Sequence, residues 1–190
     1  MRQQTRRAVL AAVGGSAIGS AGCLGTGDNT DDAENGGTDA RGNGDNEVTD
    51  WRTAELTDVT TDEQFVISEL EAPALVHPFA IWCSTCSSQN EAIDRLQQER
   101  EREVVQLNIG DSENGDDVRQ YAEENGYASH SRFAIASSGV ANALVDEFGA
   151  TAVSPPQSPV ILTCPGGATH EIDKVASPEE IETEIETNYG

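Results

Sequence analysis

Apolar positions along the chain change period several times. Ala8 to Ile18 forms one short apolar stretch, residues 23–50 carry almost no apolar side chains, and from Trp51 onward short β-rich runs alternate with segments at helical spacing. The second half of that pattern predicts strands and helices in alternation, the signature of an α/β sheet covered by helices. A short strand is predicted over residues 53–56. Thr61 with Gln64 forms a capping-box pattern and predicts a helix carrying Phe65, Val66, Glu69 and Leu70. A strand from Ala74 to Ala80 follows. A helix from Ser84 to Arg102 then buries Ala92, Ile93 and Leu96 and leads to a strand from Val104 to Ile109, completing a βαβ unit.

Downstream, a helix over Asp116 to Asn125 places Val118, Tyr121 and Ala122 on one face and stops at Gly126. A short strand covers Phe133 to Ala136. Ala141, Leu144, Val145 and Phe148 recur at helical spacing before Gly149, and Val160 to Leu162 pairs with Ala168 to Ile172 as a hairpin around Pro165-Gly166-Gly167. Ser177-Pro178-Glu179-Glu180 starts a last helix with Ile181 and Ile185 inward. No internal repeat is present.

Composition divides the chain into three. Residues 1–22 hold Arg2, Arg6 and Arg7 ahead of an apolar stretch too short to span a bilayer, which predicts an export segment outside the fold. The pair Arg6-Arg7 resembles a twin-arginine signal. Ser20-Ala21-Gly22-Cys23 resembles a lipobox, with Ser20 where Leu is usual, and implies Cys23 as a lipid anchor at the extracytoplasmic face of the cell membrane. The alternative is a plain secretory signal with a spare thiol. Residues 23–50, rich in Gly, Asp, Asn and Thr, bury too little to offset chain entropy and predict a disordered acidic tether. Residues 51–190 form the predicted folded domain.

The formal charge of the full chain is −23, or −26 once the signal arginines are removed, and Lys174 is the sole lysine. Such acidity makes nucleic acid an unsuitable partner and fits a protein kept soluble at high ionic strength. With the export signal, it resembles lipoproteins of halophilic archaea.

The chemistry concentrates in Trp82-Cys83-Ser84-Thr85-Cys86, directly after one predicted strand and opening a helix. Unpaired N–H groups at a helix N-terminus favour a thiolate, lowering a cysteine from its free pKa of about 8.5. Cys83 is therefore the candidate nucleophile. Cys86, one turn deeper, is the candidate resolving thiol that attacks a mixed disulfide at Cys83. The same spacing is half of a zinc site, but Cys23 and Cys164 are isolated and His77, His130 and His170 are dispersed, so no metal site is expected. An inert structural disulfide is the remaining alternative. Dithiol chemistry needs no cofactor.

Over nearly all of residues 51–190, the order of parts resembles the thioredoxin superfamily: a strand, W-C-x-x-C at a helix start, a βαβ crossover, Phe148-Gly149-Ala150 before a Ser158-Pro159-Val160 strand, and a Gly-Gly hairpin. The elements between residues 111 and 148 and the export signal are similar to the membrane-anchored, TlpA-like branch that includes the cytochrome c maturation thioredoxins. The resemblance implies a thioredoxin-like fold, a central mixed β-sheet flanked by helices with extra elements before and within the core. It implies a thiol:disulfide oxidoreductase exchanging disulfides with cysteines of exported proteins, coupled to a membrane electron donor or acceptor. Pro159 matches the family's cis-proline and would dock substrate beside Trp82. Cys164 is expected to pack as a small apolar side chain.

Three positions depart from the family pattern. Ser84-Thr85 replaces Gly-Pro between the cysteines, so the potential and the direction of electron flow do not carry over. His77 stands at the position of the buried acid and Gln106 at that of its partner lysine, which makes His77 a candidate proton acceptor for Cys86. The bland alternative is a core-edge histidine, and Pro78 beside it is uncomfortable in a central strand. Another function class is a thioredoxin-like copper carrier for a membrane oxidase, since soft thiolates bind Cu(I), though such carriers use a wider cysteine spacing. A binding module without turnover is the third.

Overall fold

The computed structural model describes residues 48–189. The twin-arginine segment, Cys23 and nearly all of the tether lie outside the described residues. A two-stranded antiparallel hairpin, β1 (Glu55–Thr57) and β2 (Gln64–Val66), precedes a five-stranded mixed sheet. That sheet contains β3 (Ala74–Phe79), β4 (Glu103–Asn108), β5 (Arg132–Ile135), β6 (Val160–Thr163) and β7 (Thr169–Ile172) in the order β5-β4-β3-β6-β7. The pairs β3–β4 and β4–β5 are parallel, while β6 is antiparallel to both β3 and β7. The helices are α1 (Ser84–Glu99), α2 (Gly115–Glu124), α3 (Ser138–Phe148) and α4 (Pro178–Tyr189).

Every side chain of β3 is buried, as expected of a strand covered on both faces. Its alternating positions feed different layers. Leu75 packs with Ile93 and Leu96 of α1 and Ile181 and Ile185 of α4. Phe79 joins Val118 and Ala122 of α2 and both motif cysteines. Val76, on the opposite face, meets Leu144 of α3, Leu56 of the hairpin and Trp51. Trp51 is fully buried and its indole Nε1 donates to Glu147 Oε2 at 2.9 Å.

The helix predicted after Thr61 is not formed. Gln64–Val66 is strand β2, in register with β1 through Leu56–Phe65, and only a 3-10 turn, Ile67–Glu69, follows. Buried Asp58 explains the difference. Its carboxylate accepts from the Thr60 N–H and hydroxyl at 2.9 and 2.7 Å, closing a turn that returns the chain as a hairpin before a helix can start. The α3 face is also rotated from the predicted one: Val140, Ala143 and Leu144 are buried, whereas Ala141 and Phe148 are only partly so.

Pro78 fits inside β3 for a specific reason. The β3–β6 ladder runs only from Ala74 to Val76, so β6 has already departed when the chain reaches residue 78. Along a strand, the N–H and C=O of one residue point to the same side, and the Pro78 carbonyl accepts from Ser158 Oγ at 2.8 Å. The missing N–H is thus on the side where no ladder partner remains, and the proline marks where the sheet opens.

Candidate active site

A turn after β3 delivers Ile81, Trp82 and Cys83 to the start of α1. Cys83 is the N-cap, in extended conformation, and its Sγ accepts from the Cys86 N–H at 3.2 Å. A thiolate at this position meets the free N–H groups of the first turn. Both thiols are free in this structure, and both are buried, with Cys83 at 3% exposure and Cys86 at 0%. Trp82 by contrast projects from the surface at 62% exposure.

The approach to the motif is held by Glu113, which the sequence pattern did not single out. Its carboxylate accepts from the Ile81 N–H at 2.8 and 3.0 Å, from the Trp82 N–H at 3.3 Å, and from Asn108 Nδ2 at 2.5 Å. One side chain from the loop after β4 thereby fixes the segment leading into Cys83. Gly110 leaves room for that carboxylate: a Cβ there would stand 2.3 Å from Glu113 Oε2 and push it off these partners.

Cys86 faces the gap at the end of the β3–β6 ladder. Its Sγ donates to the Pro155 carbonyl at 3.3 Å, and Lys174 Nζ lies 3.2 Å away. Burial pushes the Cys86 thiol up to about 11; its hydrogen bond with Cys83 adds to the rise, and the Ala80 backbone and Lys174 oppose it. Lys174 itself is pushed down by burial, with the Cys86 and Cys83 sulfurs acting the other way.

His77 occupies a different setting from the one its candidate role requires. Its Nδ1 lies 2.7 Å from Asn90 Oδ1 and 2.9 Å from Gln106 Oε1, so the ring donates from Nδ1, and the buried Nε2 has no hydrogen-bond partner. Burial, with the positive charge of Lys174, lowers its pKa to about 3, against weaker opposition from the Gln106 and Asn90 hydrogen bonds. Gln106, expected at the position of a partner lysine, instead holds the imidazole. Among the described residues, the basic side chain within hydrogen-bond reach of Cys86 Sγ is Lys174.

Pro159 is buried at the start of β6, but its peptide bond is not cis: the cis bonds among the described residues are Ala72–Pro73 and Lys174–Val175. The backbone atom beside Cys86 is the Pro155 carbonyl. Cys164 is half-buried against the α1–α4 layer, as a small apolar side chain would be. His130 pairs with Asp94 at 2.9 Å and His170 is exposed on β7. Among the described residues, no three His, Cys, Asp or Glu side chains group as metal ligands. A cleft of about 320 Å³ lined by Gln97, Arg102 and His130 shares no residue with the dithiol.

No family model matches the sequence, and neither does any curated protein. Solved structures do match the fold. The thioredoxin-related protein from Neisseria meningitidis serogroup B aligns with TM-score 0.57 at 14% identity, covering 70% of this chain and 97% of that one. A secreted Mycobacterium tuberculosis disulfide oxidoreductase homologous to E. coli DsbE aligns at 0.56 and 12%, covering 72% and 97%. A SCO1/SenC family lipoprotein from Bacillus anthracis aligns at 0.55 and 13%, covering 74% and 95%. The chain has a thioredoxin-like fold, with its cysteine pair at the N-terminus of the helix that follows the central strand.

Proposed function

We propose that this chain is a thiol:disulfide oxidoreductase, tethered to the membrane through Cys23 and acting on cysteines of exported proteins at the extracytoplasmic face. The observation that carries the reading is the helix-capping dithiol, with the Cys86 N–H on Cys83 Sγ at 3.2 Å. Cys83 attacks a substrate disulfide, or the oxidised pair accepts a substrate thiol, and either direction passes through a mixed disulfide that Cys86 resolves. Exposed Trp82 offers the apolar contact for an incoming peptide, and Pro159, buried just before β6, is the docking residue that the family resemblance suggests. Tethering is supported by the lipobox-like Ser20-Ala21-Gly22-Cys23, and a membrane electron donor or acceptor would return the pair to its starting state. A lipoprotein of the same fold is among the similar structures.

The test is equilibration of the protein with thiol redox buffers in high salt, fitting the two-electron potential of the Cys83/Cys86 couple. A value near about −270 mV assigns a reductant fed by a membrane donor, and one near about −120 mV assigns an enzyme that installs disulfides. Absence of any two-electron couple would end the reading.

A further inference from the structure

The chain contains one lysine, and the fold brings its amine to the resolving sulfur. Lys174 leaves the end of β7 and enters the gap beside Pro78, where the β3–β6 ladder has stopped. Its Nζ lies 3.2 Å from Cys86 Sγ, 2.5 Å from the Pro155 carbonyl, 3.0 Å from Ser158 Oγ and 3.4 Å from the Pro78 carbonyl. Ser158 is itself buried and donates onward to Pro78 at 2.8 Å. In a chain of net charge −23, the only lysine pairs with no carboxylate among the described residues and is surrounded there by neutral oxygens and a thiol. An amine so placed is not an ion-pair cation of the surface.

We propose that Lys174 is the proton acceptor for Cys86 during resolution of the mixed disulfide, a role that rests on the oxidoreductase reading above. After Cys83 has attacked, a Cys83–substrate disulfide is present and Cys86 is a buried thiol. The Cys86 proton passes to the neutral Nζ of Lys174, and the thiolate attacks Cys83 Sγ. The Cys83–Cys86 bond forms as the Cys83–substrate bond breaks. The substrate sulfur leaves with the electron pair and takes up a proton, while the Lys174 ammonium gives its proton back to solvent. The dithiol has then lost two electrons and two protons, and the substrate disulfide has gained them.

Burial supports this exchange because it acts oppositely on the two partners. It lowers the amine, which favours the neutral form able to accept a proton, and raises the thiol, so that Cys86 ionises only with a base within reach. The other titratable groups facing Lys174 are Cys83 and His77, and the imidazole stays neutral in this setting. Carbonyls and the Ser158 hydroxyl complete the surroundings, and Asp173, next in sequence, is exposed. The Pro155 and Pro78 carbonyls and Ser158 then hold the ammonium that results.

The experiment mixes the reduced full chain, with Cys23→Ser and Cys164→Ala so that Cys83 and Cys86 are its remaining thiols, with dithiobis(nitrobenzoate), an aromatic disulfide that releases coloured nitrothiobenzoate in two phases. The first equivalent reports Cys83 attack, the second resolution by Cys86. In Lys174→Met the second phase slows by about a hundredfold at neutral pH and recovers as pH rises, because hydroxide replaces the missing base. Lys174→Arg keeps the positive charge but cannot accept a proton, so its second phase stays slow as well. A second phase with wild-type rate and pH profile in Lys174→Met, or full restoration by Lys174→Arg, overturns the proposal. If Lys174→Met releases no first equivalent, Lys174→Arg alone decides. Failure of the wild-type chain to show two phases would instead count against the oxidoreductase reading itself.

Discussion

Cys83 caps the helix that carries Cys86: the Cys86 N–H points at Cys83 Sγ at 3.2 Å, so the backbone of the second cysteine stabilises the sulfur of the first. The two thiols have different second neighbours. Cys83 has the first turn of α1, whereas Cys86 has a carbonyl from the segment before β6 and an amine from the segment after β7. This asymmetry is the basis of the roles proposed above and leads to the first expectation.

Cys86→Ser retains the attacking thiol and loses the resolving one, so mixed disulfides with substrate thiols accumulate. Cys83→Ser leaves a buried thiol and forms none. Mass spectrometry of the alkylated protein after incubation with a disulfide peptide distinguishes the two; accumulation in Cys83→Ser and not in Cys86→Ser would reverse the assignment.

Glu113→Ala strands the Ile81 and Trp82 N–H groups that its carboxylate now accepts. Loss of acceptors for partly buried donors costs about 1–3 kcal/mol. Urea unfolding should show that loss, and the fluorescence of exposed Trp82 should become more quenchable by acrylamide. An unchanged midpoint would mean that water replaces the carboxylate without penalty.

His77 makes stability depend on pH. Its pKa is lowered to about 3 in the folded protein against 6.5 for the ordinary group, so below pH 6.5 the unfolded chain takes up a proton that the folded one refuses. Stability is therefore fully present above pH 6.5 and falls as pH drops toward 3, by at most about 1.4 kcal/mol per pH unit. His77→Asn removes this slope. Denaturant titrations of the two proteins between these limits, at constant salt, check it: parallel curves would show that His77 is protonated in the fold.

Trp51→Ala empties a fully buried site shared by α3, the hairpin and the sheet, and frees Glu147 Oε2 from the indole. Truncations of this kind cost about 3–5 kcal/mol. Thermal unfolding should shift accordingly; a change within error would show that the hairpin layer packs without it.

Much of the fold was legible because local rules and tertiary packing agree. The β3–α1–β4 unit, α2 ending before Gly126, the β6–β7 hairpin and the Ser177–Glu180 capping box of α4 were all written in apolar period and turn chemistry. The hairpin at Gln64–Val66 was missed because Thr61-x-x-Gln64 is also a helix-start pattern, and the choice was made by Asp58 bonding back to Thr60 and by Leu56 pairing with Phe65.

The candidate site divides in the same way. The cysteine spacing and its strand-to-helix setting are local, so residues 74–99 alone determined where the dithiol stands and which thiol caps the helix. The surroundings of Cys86 are not local. Lys174 is 88 residues away in sequence and reaches the sulfur only because β6 is antiparallel to β3 and stops pairing at Val76. His77 carried the right chemistry for a base by composition, yet Asn90 and Gln106 hold its Nδ1 and burial keeps it neutral. The one signal in the sequence was rarity, a single lysine in a strongly acidic chain. Residue type sets what a side chain is able to do; desolvation and proximity, which only the folded sheet creates, decided that the amine rather than the imidazole meets the thiol.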